Sequence, residues 1–316
     1  MDVTTPGAGI ETLVGDVADT LLDTRSRPVS ASPSDRPSTS RIRRLGSVGF
    51  WLATAWLVLL AFVAVFANVL PLHPYDRFVD SLPPRASMGF RLSEPLGTDA
   101  SGRSMLSRLV FGARESLLIG VASVGISLVI GSLIGLAAGY LRGRVDEVVT
   151  ILLDTILAFP ALVLLLAIAS VGARSVNTVI AGLAILGISP FARLVRSTTL
   201  TLADREFVLA ARTLGATRRR IMFREILPNV VPGIISVVFL FMAAVIVAEG
   251  SLSFLGLGVP PPVPSWGGMV NEGRQWMSTA PQLVFIPAGA LLLTVLSLRT
   301  VGERIRVRFV GGVSTL

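Results

Sequence analysis

The chain has no cysteine, no lysine and a single histidine, and charged residues make up only 15% of its 316 positions. Without cysteine there is no disulfide, no thiolate metal site and no cysteine nucleophile. With His73 alone, histidine-rich metal relays are excluded as well. The missing lysine removes the GxxxxGK[ST] phosphate loop, so any nucleotide chemistry has to be supplied by a partner. All 28 basic residues are arginine, and the formal net charge is +8. The bulk of the chain is apolar: 52% of residues are hydrophobic and the mean hydropathy is +0.73. A water-soluble domain does not tolerate such values, so an all-α integral membrane protein is expected.

Six apolar stretches are long enough to cross a bilayer, at about 48–70, 115–139, 148–170, 175–197, 231–254 and 282–301. If the N-terminus is inside, 20 arginines fall on the cytoplasmic side and eight outside, which supports an N-in, C-in topology. Six of the outer eight crowd into residues 77–114, against that trend. Residues 1–44 read as a basic cytoplasmic tail. Their stretch PVSASPSDRPSTS, with three prolines and five serines, has too little apolar surface to offset the entropy of ordering. The transmembrane domain is placed at 45–309 and a short cytoplasmic tail at 310–316.

Several local patterns carry expectations of their own. In PLGTDASGRSMLSRLVFGARESLLIG, Asp99 is expected to cap an interfacial helix with a stripe of Met105, Leu106, Leu109 and Val110. Ser123, Ser127, Gly131, Gly135 and Gly139 place a small residue at every fourth position of the second span. That stripe marks close helix packing, either within the chain or across a dimer. Asp154 precedes the kink-forming Pro160. Both it and Glu249 are intramembrane acids, either paired with arginines or, for Glu249, facing a water-filled path. Phe239, Met242 and Glu249 are the candidate translocation-path residues. Trp266 and Trp276 read as interfacial belt anchors.

The most informative segment is residues 206–229, EFVLAARTLGATRRRIMFREILPN, a polar and arginine-rich interruption between two apolar runs. Phe207, Ala210, Ala211 and Leu214 fall at i, i+3, i+4 and i+7 and so share one helical face. Asp204 is placed as N-cap and Gly215 as the stop. Thr217 is placed as the cap of a second short helix that ends at Leu227-Pro228. A small apolar knob of this kind suits a cleft on another protein; the alternative is an amphipathic helix lying on the membrane surface.

This segment resembles the EAA-type signature of ABC importer membrane subunits, with Ala210, Ala211, Gly215, Leu227 and Pro228 in register and Leu209 where the pattern has glutamate. LLDTILAFPALVLLLAI, SPFARLVRSTTL and SLSFLGLGVPPPVPSWG are further similar to the C-type subunit of the dipeptide/oligopeptide permease family, and with the blocks above they cover most of residues 95–270. Ser104 departs from the acid that often follows GR there, and the ending SLRTVGERIRVRF is more basic than usual. The resemblance implies a six-helix type I importer fold in a bacterial cytoplasmic membrane. The partners it implies are a second homologous permease subunit, two ATPase subunits, an extracytoplasmic solute-binding protein, lipid and a peptide substrate, with no nucleic acid. It also implies that the 201–229 loop couples to an ATPase through Phe207, Ala210, Ala211, Arg212, Leu214 and Gly215. Nickel chelates and glutathione are alternative cargoes. A secondary transporter would instead need mid-membrane coupling acids and internal repeats, and neither is evident.

Overall fold

A computed structural model describes residues 39–79, 82–86, 94–172 and 175–310. Most of the expected tail, residues 1–38, and the C-terminal residues 311–316 lie outside the described residues. Contacts divide the chain into units Met1–Gly46 and Ser47–Leu316, and the packing below belongs to the second. The elements are α1 (Thr39–Phe66), α2 (Met105–Leu141), α3 (Gly143–Ala158), α4 (Ala161–Val171), α5 (Val176–Ala203), α6 (Glu206–Thr213), α7 (Arg218–Arg220), a π-helical turn (Ile221–Ile226), α8 (Leu227–Phe254), α9 (Trp266–Gly273) and α10 (Gln282–Val310). Residues 39–44, assigned to the tail above, are helical backbone of α1.

Among the described residues, α1, α2, α5, α8 and α10 are long and apolar enough to cross a membrane. The third expected span is two helices, α3 and α4, bent by 85° at Phe159 and Pro160. Proline supplies no backbone N–H and its ring clashes with the preceding turn, so the hydrogen-bond ladder stops there.

The packing of α2 on α5 shows that the bent pair amounts to one crossing. The Ser123 hydroxyl donates to the Ile180 carbonyl at 3.2 Å and that of Ser127 to Ala184 at 2.9 Å, each pair 57 residues apart. A Cβ on Gly131 would stand 2.7 Å from the Ile188 carbonyl oxygen, and one on Gly139 2.8 Å from that of Arg196; on Gly135 it would collide with the Ala192 carbonyl. All five contacts keep the same offset, so α2 and α5 run parallel. The chain between them must therefore return to the side from which α2 started, and α3 with α4 makes that passage. The small-residue stripe thus packs within the chain, where side chains without bulk let two backbones close to near-contact.

At 37 residues, α2 is about 55 Å long, well beyond a hydrocarbon core of about 30 Å. Its first turns, carrying Arg108, Arg114 and Glu115, therefore stand clear of the bilayer. The segment expected to be a separate interfacial helix is continuous with the second span. Ser104 caps it, its Oγ accepting from the Ser107 N–H at 3.2 Å, and Asp99 lies further upstream with other partners. The main core joins α2, α4, α5, α6, the π-turn and α8 through Ile119, Leu136, Leu165, Phe191, Val195, Val208, Ile226 and Val230. A second core forms around Met105, Trp266, Met269 and Leu283. Trp266 is 1% exposed and its Nε1 donates to the Leu109 carbonyl at 3.0 Å, so it is a core residue and not a belt anchor.

Gly135→Leu should lower the thermal stability of the solubilised protein by about 1–3 kcal/mol or prevent its accumulation, because the side chain has only the Ala192 backbone to displace. Gly125→Ala, with nothing within 4 Å, should leave the melting temperature within a degree or two of the parent.

Candidate functional site

Two regions concentrate chemistry, at opposite ends of α2. At its C-terminal end lies the signature loop. Val208 of α6 is fully buried and packs into the main core with Ala203, Ile221 and Ile226. Ala211 and Ala216 are half-buried against the same cluster. The short helix is therefore cemented to the bundle by an inward face centred on Val208, a residue that the i, i+3, i+4, i+7 pattern passed over. Ala211 belongs to the edge of this inward face. The free apolar edge is Phe207, Ala210 and Leu214, with Phe207 39% and Leu214 87% exposed. Leu209, which stands in place of the signature glutamate, is 49% exposed.

The local signals explain most of this shape. Gly215 adopts φ +78°, a left-handed conformation that glycine reaches without a Cβ penalty, and it ends the helix where expected. Thr217 Oγ1 accepts from the Arg220 N–H at 3.4 Å and opens α7 as read from the sequence. Two expectations change. Arg205 occupies the N-cap position of α6, whereas Asp204 ends α5 and pairs with Arg142 at 2.7 Å. Leu227-Pro228 opens α8 and terminates nothing: the π-turn runs straight into it, with the proline in the first helical turn, where its missing N–H costs little. The Arg212 guanidinium sits 5.3 Å from the Tyr140 ring, linking the loop to the last turn of α2.

At the other end of α2 lies a charge cluster. Asp99 accepts from the backbone N–H groups of Ser101 and Arg103 at 2.8 and 2.9 Å, and from Arg103 Nε at 2.7 Å. Arg108, 2% exposed, donates to both Asp99 and Glu272, the latter at 3.0 Å; Arg103 also reaches Glu272 at 3.2 Å. The four charges balance, which ties the segment before α2 to α9. Beside them, Ser104 Oγ donates to the buried Glu94, so the position lacking an acid in the GR motif is hydrogen-bonded to an acid from ten residues upstream. Arg85 stacks over Trp276 at 4.1 Å and Arg114 donates to Asn68 at 3.0 Å. Among the described residues of this arginine-crowded stretch, Arg85, Arg103, Arg108 and Arg114 are thus paired or stacked.

The path candidates do not converge. Glu249 is fully buried; its carboxylate accepts from Ser253 Oγ at 2.7 Å and from Ser116 Oγ at 3.3 Å, and Ser265 extends the chain to Ser253 at 3.2 Å. It is enclosed within this chain, so in this geometry it does not face water. Phe239 and Met242 are half-buried and pack on Ala243, Ile246 and Leu298 between α8 and α10. Asp154 pairs with Arg193, the arginine pairing expected for it.

The family model described as "Binding-protein-dependent transport system inner membrane component" matches residues 131–309. The di/tripeptide transport system permease protein DppC of Pseudomonas aeruginosa is 40% identical over 255 residues, covering 79% of this chain and 84% of the relative. The glutathione transport system permease protein GsiD of Pectobacterium atrosepticum is 36% identical over 254 residues, covering 80% and 84%. The dipeptide transport system permease protein DppC of Alkalihalophilus pseudofirmus is 34% identical over 263 residues, covering 83% and 84%. Among solved structures, an inward-facing MetNI methionine ABC transporter chain aligns with a TM-score of 0.55 at 20% identity, covering 65% of this chain and 97% of that one. That likeness concerns the fold.

The Asp99 cluster carries a pH dependence of defined sign. Burial alone pushes the Asp99 carboxyl up, but the Arg103 N–H and the charges of Arg108 and Arg103 outweigh it and hold the group below its ordinary 3.8. A carboxyl depressed in the folded state stabilises above its unfolded value, and that stability is lost as pH falls through the folded one. Hydrogen-exchange protection around Met105 and Trp266, taken relative to the intrinsic exchange rate at each pH, should be flat from neutral pH to about pH 4 and fall below it. Asp99→Asn, which leaves Arg103 and Arg108 to share Glu272, should cost up to about 3 kcal/mol at neutral pH and flatten that acid limb.

Proposed function

Since this chain belongs to the family of binding-protein-dependent transport system inner membrane components, we propose that it is the permease subunit of an ATP-driven importer of dipeptides and short oligopeptides in a bacterial inner membrane. The single observation carrying the mechanism is the two-faced helix Glu206–Thr213: Val208 is locked into the transmembrane core while Phe207, Ala210 and Leu214 are left uncovered. An exposed apolar edge on a rigid mount suits a groove in a partner and transmits displacement without slack.

In this reading the family's ATPase partners grip that edge. Two such subunits bind the ATP and Mg for which this lysine-free chain has no loop, and a second homologous permease forms the other half of the path. A solute-binding protein delivers cargo to the face bearing the Asp99 cluster. The signature loop is cytoplasmic, with both termini inside, and residues 45–309 form the permease domain. Arg212, stacked on Tyr140, and Gly215, at the turn, position the loop. The chain itself moves solute and performs no bond chemistry. The peptide cargo rests on the relatives at 40% and 34% identity, both described as di- or tripeptide permeases.

Leu214→Asp and Phe207→Asp should each reduce ATP-dependent uptake of a radiolabelled dipeptide by at least about tenfold, as expected for losing an interface anchor, with membrane insertion and melting temperature unchanged. The ATPases should co-purify with the parent and be lost from Leu214→Asp. Val208→Asp should instead destabilise the chain itself. Full uptake by both surface variants would sink the coupling role; uptake of glutathione but not dipeptides by the parent complex would reassign the cargo.

A further inference from the structure

A cleft of about 710 Å³ opens where α3 leaves α5, lined by Thr150, Leu157, Asp154, Arg193, Arg196 and Ser197. Its walls are held differently. On its far side α5 is welded to α2 by the glycine contacts described above. By contrast, α3 has one buried residue, Leu153, and is held to α5 mainly by polar contacts. Arg196 Nη2 donates to Asp146 at 2.7 Å, Arg193 donates to Asp154, and Ser189 Oγ lies 3.5 Å from the Leu153 carbonyl.

The depth of this pair matters. Arg196 is level with Gly139 of α2, and Arg193 sits about one turn further in, level with residues 135 and 136. At that level α2 is uncharged and stays so through Leu141. Yet Arg193 and Asp154 are 51% and 57% exposed on the surface of this chain. An ion pair half-open to hydrocarbon is costly, whereas the same pair facing water is not. The cleft also adjoins the end of α5 that continues, through Asp204 and Arg205, into the coupling helix α6.

We propose that this cleft is the inner section of the solute path, and that Asp154 and Arg193 are its charge-selective pair, taking the ammonium and the carboxylate of a zwitterionic solute. The pair offers one acceptor and one bidentate donor side by side, the complement of a molecule with both charged termini free. A solute seated there exchanges with the Asp154–Arg193 contact, which loosens α3, and the bend at Pro160 gives α3 a place to swing. The proposal rests on the peptide-permease reading for its cargo, but not for its water access.

The absence of cysteine makes the test direct. Thr150→Cys and Ser197→Cys, placed one at a time in the otherwise unchanged complex in membrane vesicles, should react with a charged, membrane-impermeant methanethiosulfonate. Leu59→Cys, on the exposed face of α1, should not. No reaction at either cleft position in any nucleotide state overturns the proposal whatever the cargo. Asp154→Asn and Arg193→Gln should each cut alanylalanine uptake several-fold, with ATPase co-purification and binding-protein affinity unchanged. Labelling at 150 and 197 with parental uptake in both variants would overturn the charge-pair role. A swapped Asp154→Arg, Arg193→Asp double variant that regains full uptake would reduce the pair to a clamp between helices. A parent complex that takes up no dipeptide would sink the functional reading, while the labelling would still report on the cleft.

Discussion

The close approach of α2 and α5 is the constraint on which the rest of the molecule depends. Five small residues, four apart on α2, meet five backbone positions on α5 at a constant separation along the chain. Because neither helix can shift by one residue without driving a side chain into a backbone carbonyl, their register is unique and their direction is parallel. That parallelism forces the intervening α3 and α4 to cross the bilayer. It also makes α5 a stiff rod, joined at one end to the two-faced helix α6.

The signature loop divides its apolar residues between two tasks. Val208, Ile221 and Ile226 bury against the bundle and make the loop an extension of the transmembrane core. Phe207, Ala210 and Leu214 stay outside, where the free chain gains nothing from them. Exposed large apolar groups on a rigid scaffold mark interaction surfaces. One side of the helix is fixed to the bundle and the other is open, which is the arrangement that the proposed coupling to an ATPase requires.

Charge is managed by placement. Arg103, just before α2, and Arg108, in its first turn, are neutralised by Asp99 and Glu272 and act as struts to α9. Glu249, which pairs with no arginine among the described residues, is satisfied by serines instead. The Asp154–Arg193 pair differs from both, since it remains half-open at a depth where α2 is apolar.

The linear chain was sufficient for the membrane class, the apolar stretches, the break at Pro160, the stop at Gly215 and the cap at Thr217, and the signature loop, because each depends on composition or on residues within a turn of one another. It also marked the small-residue stripe, though not what the stripe touches. Tertiary structure alone decided which helix the stripe packs against, that Val208 and not Ala211 anchors α6, that Trp266 is core, and that Glu249 is enclosed. The physical reason is the same in each case. A helical pattern defines a face only to within about one residue step of 100°, and which side of it is buried is settled by neighbours that arrive from tens of residues away.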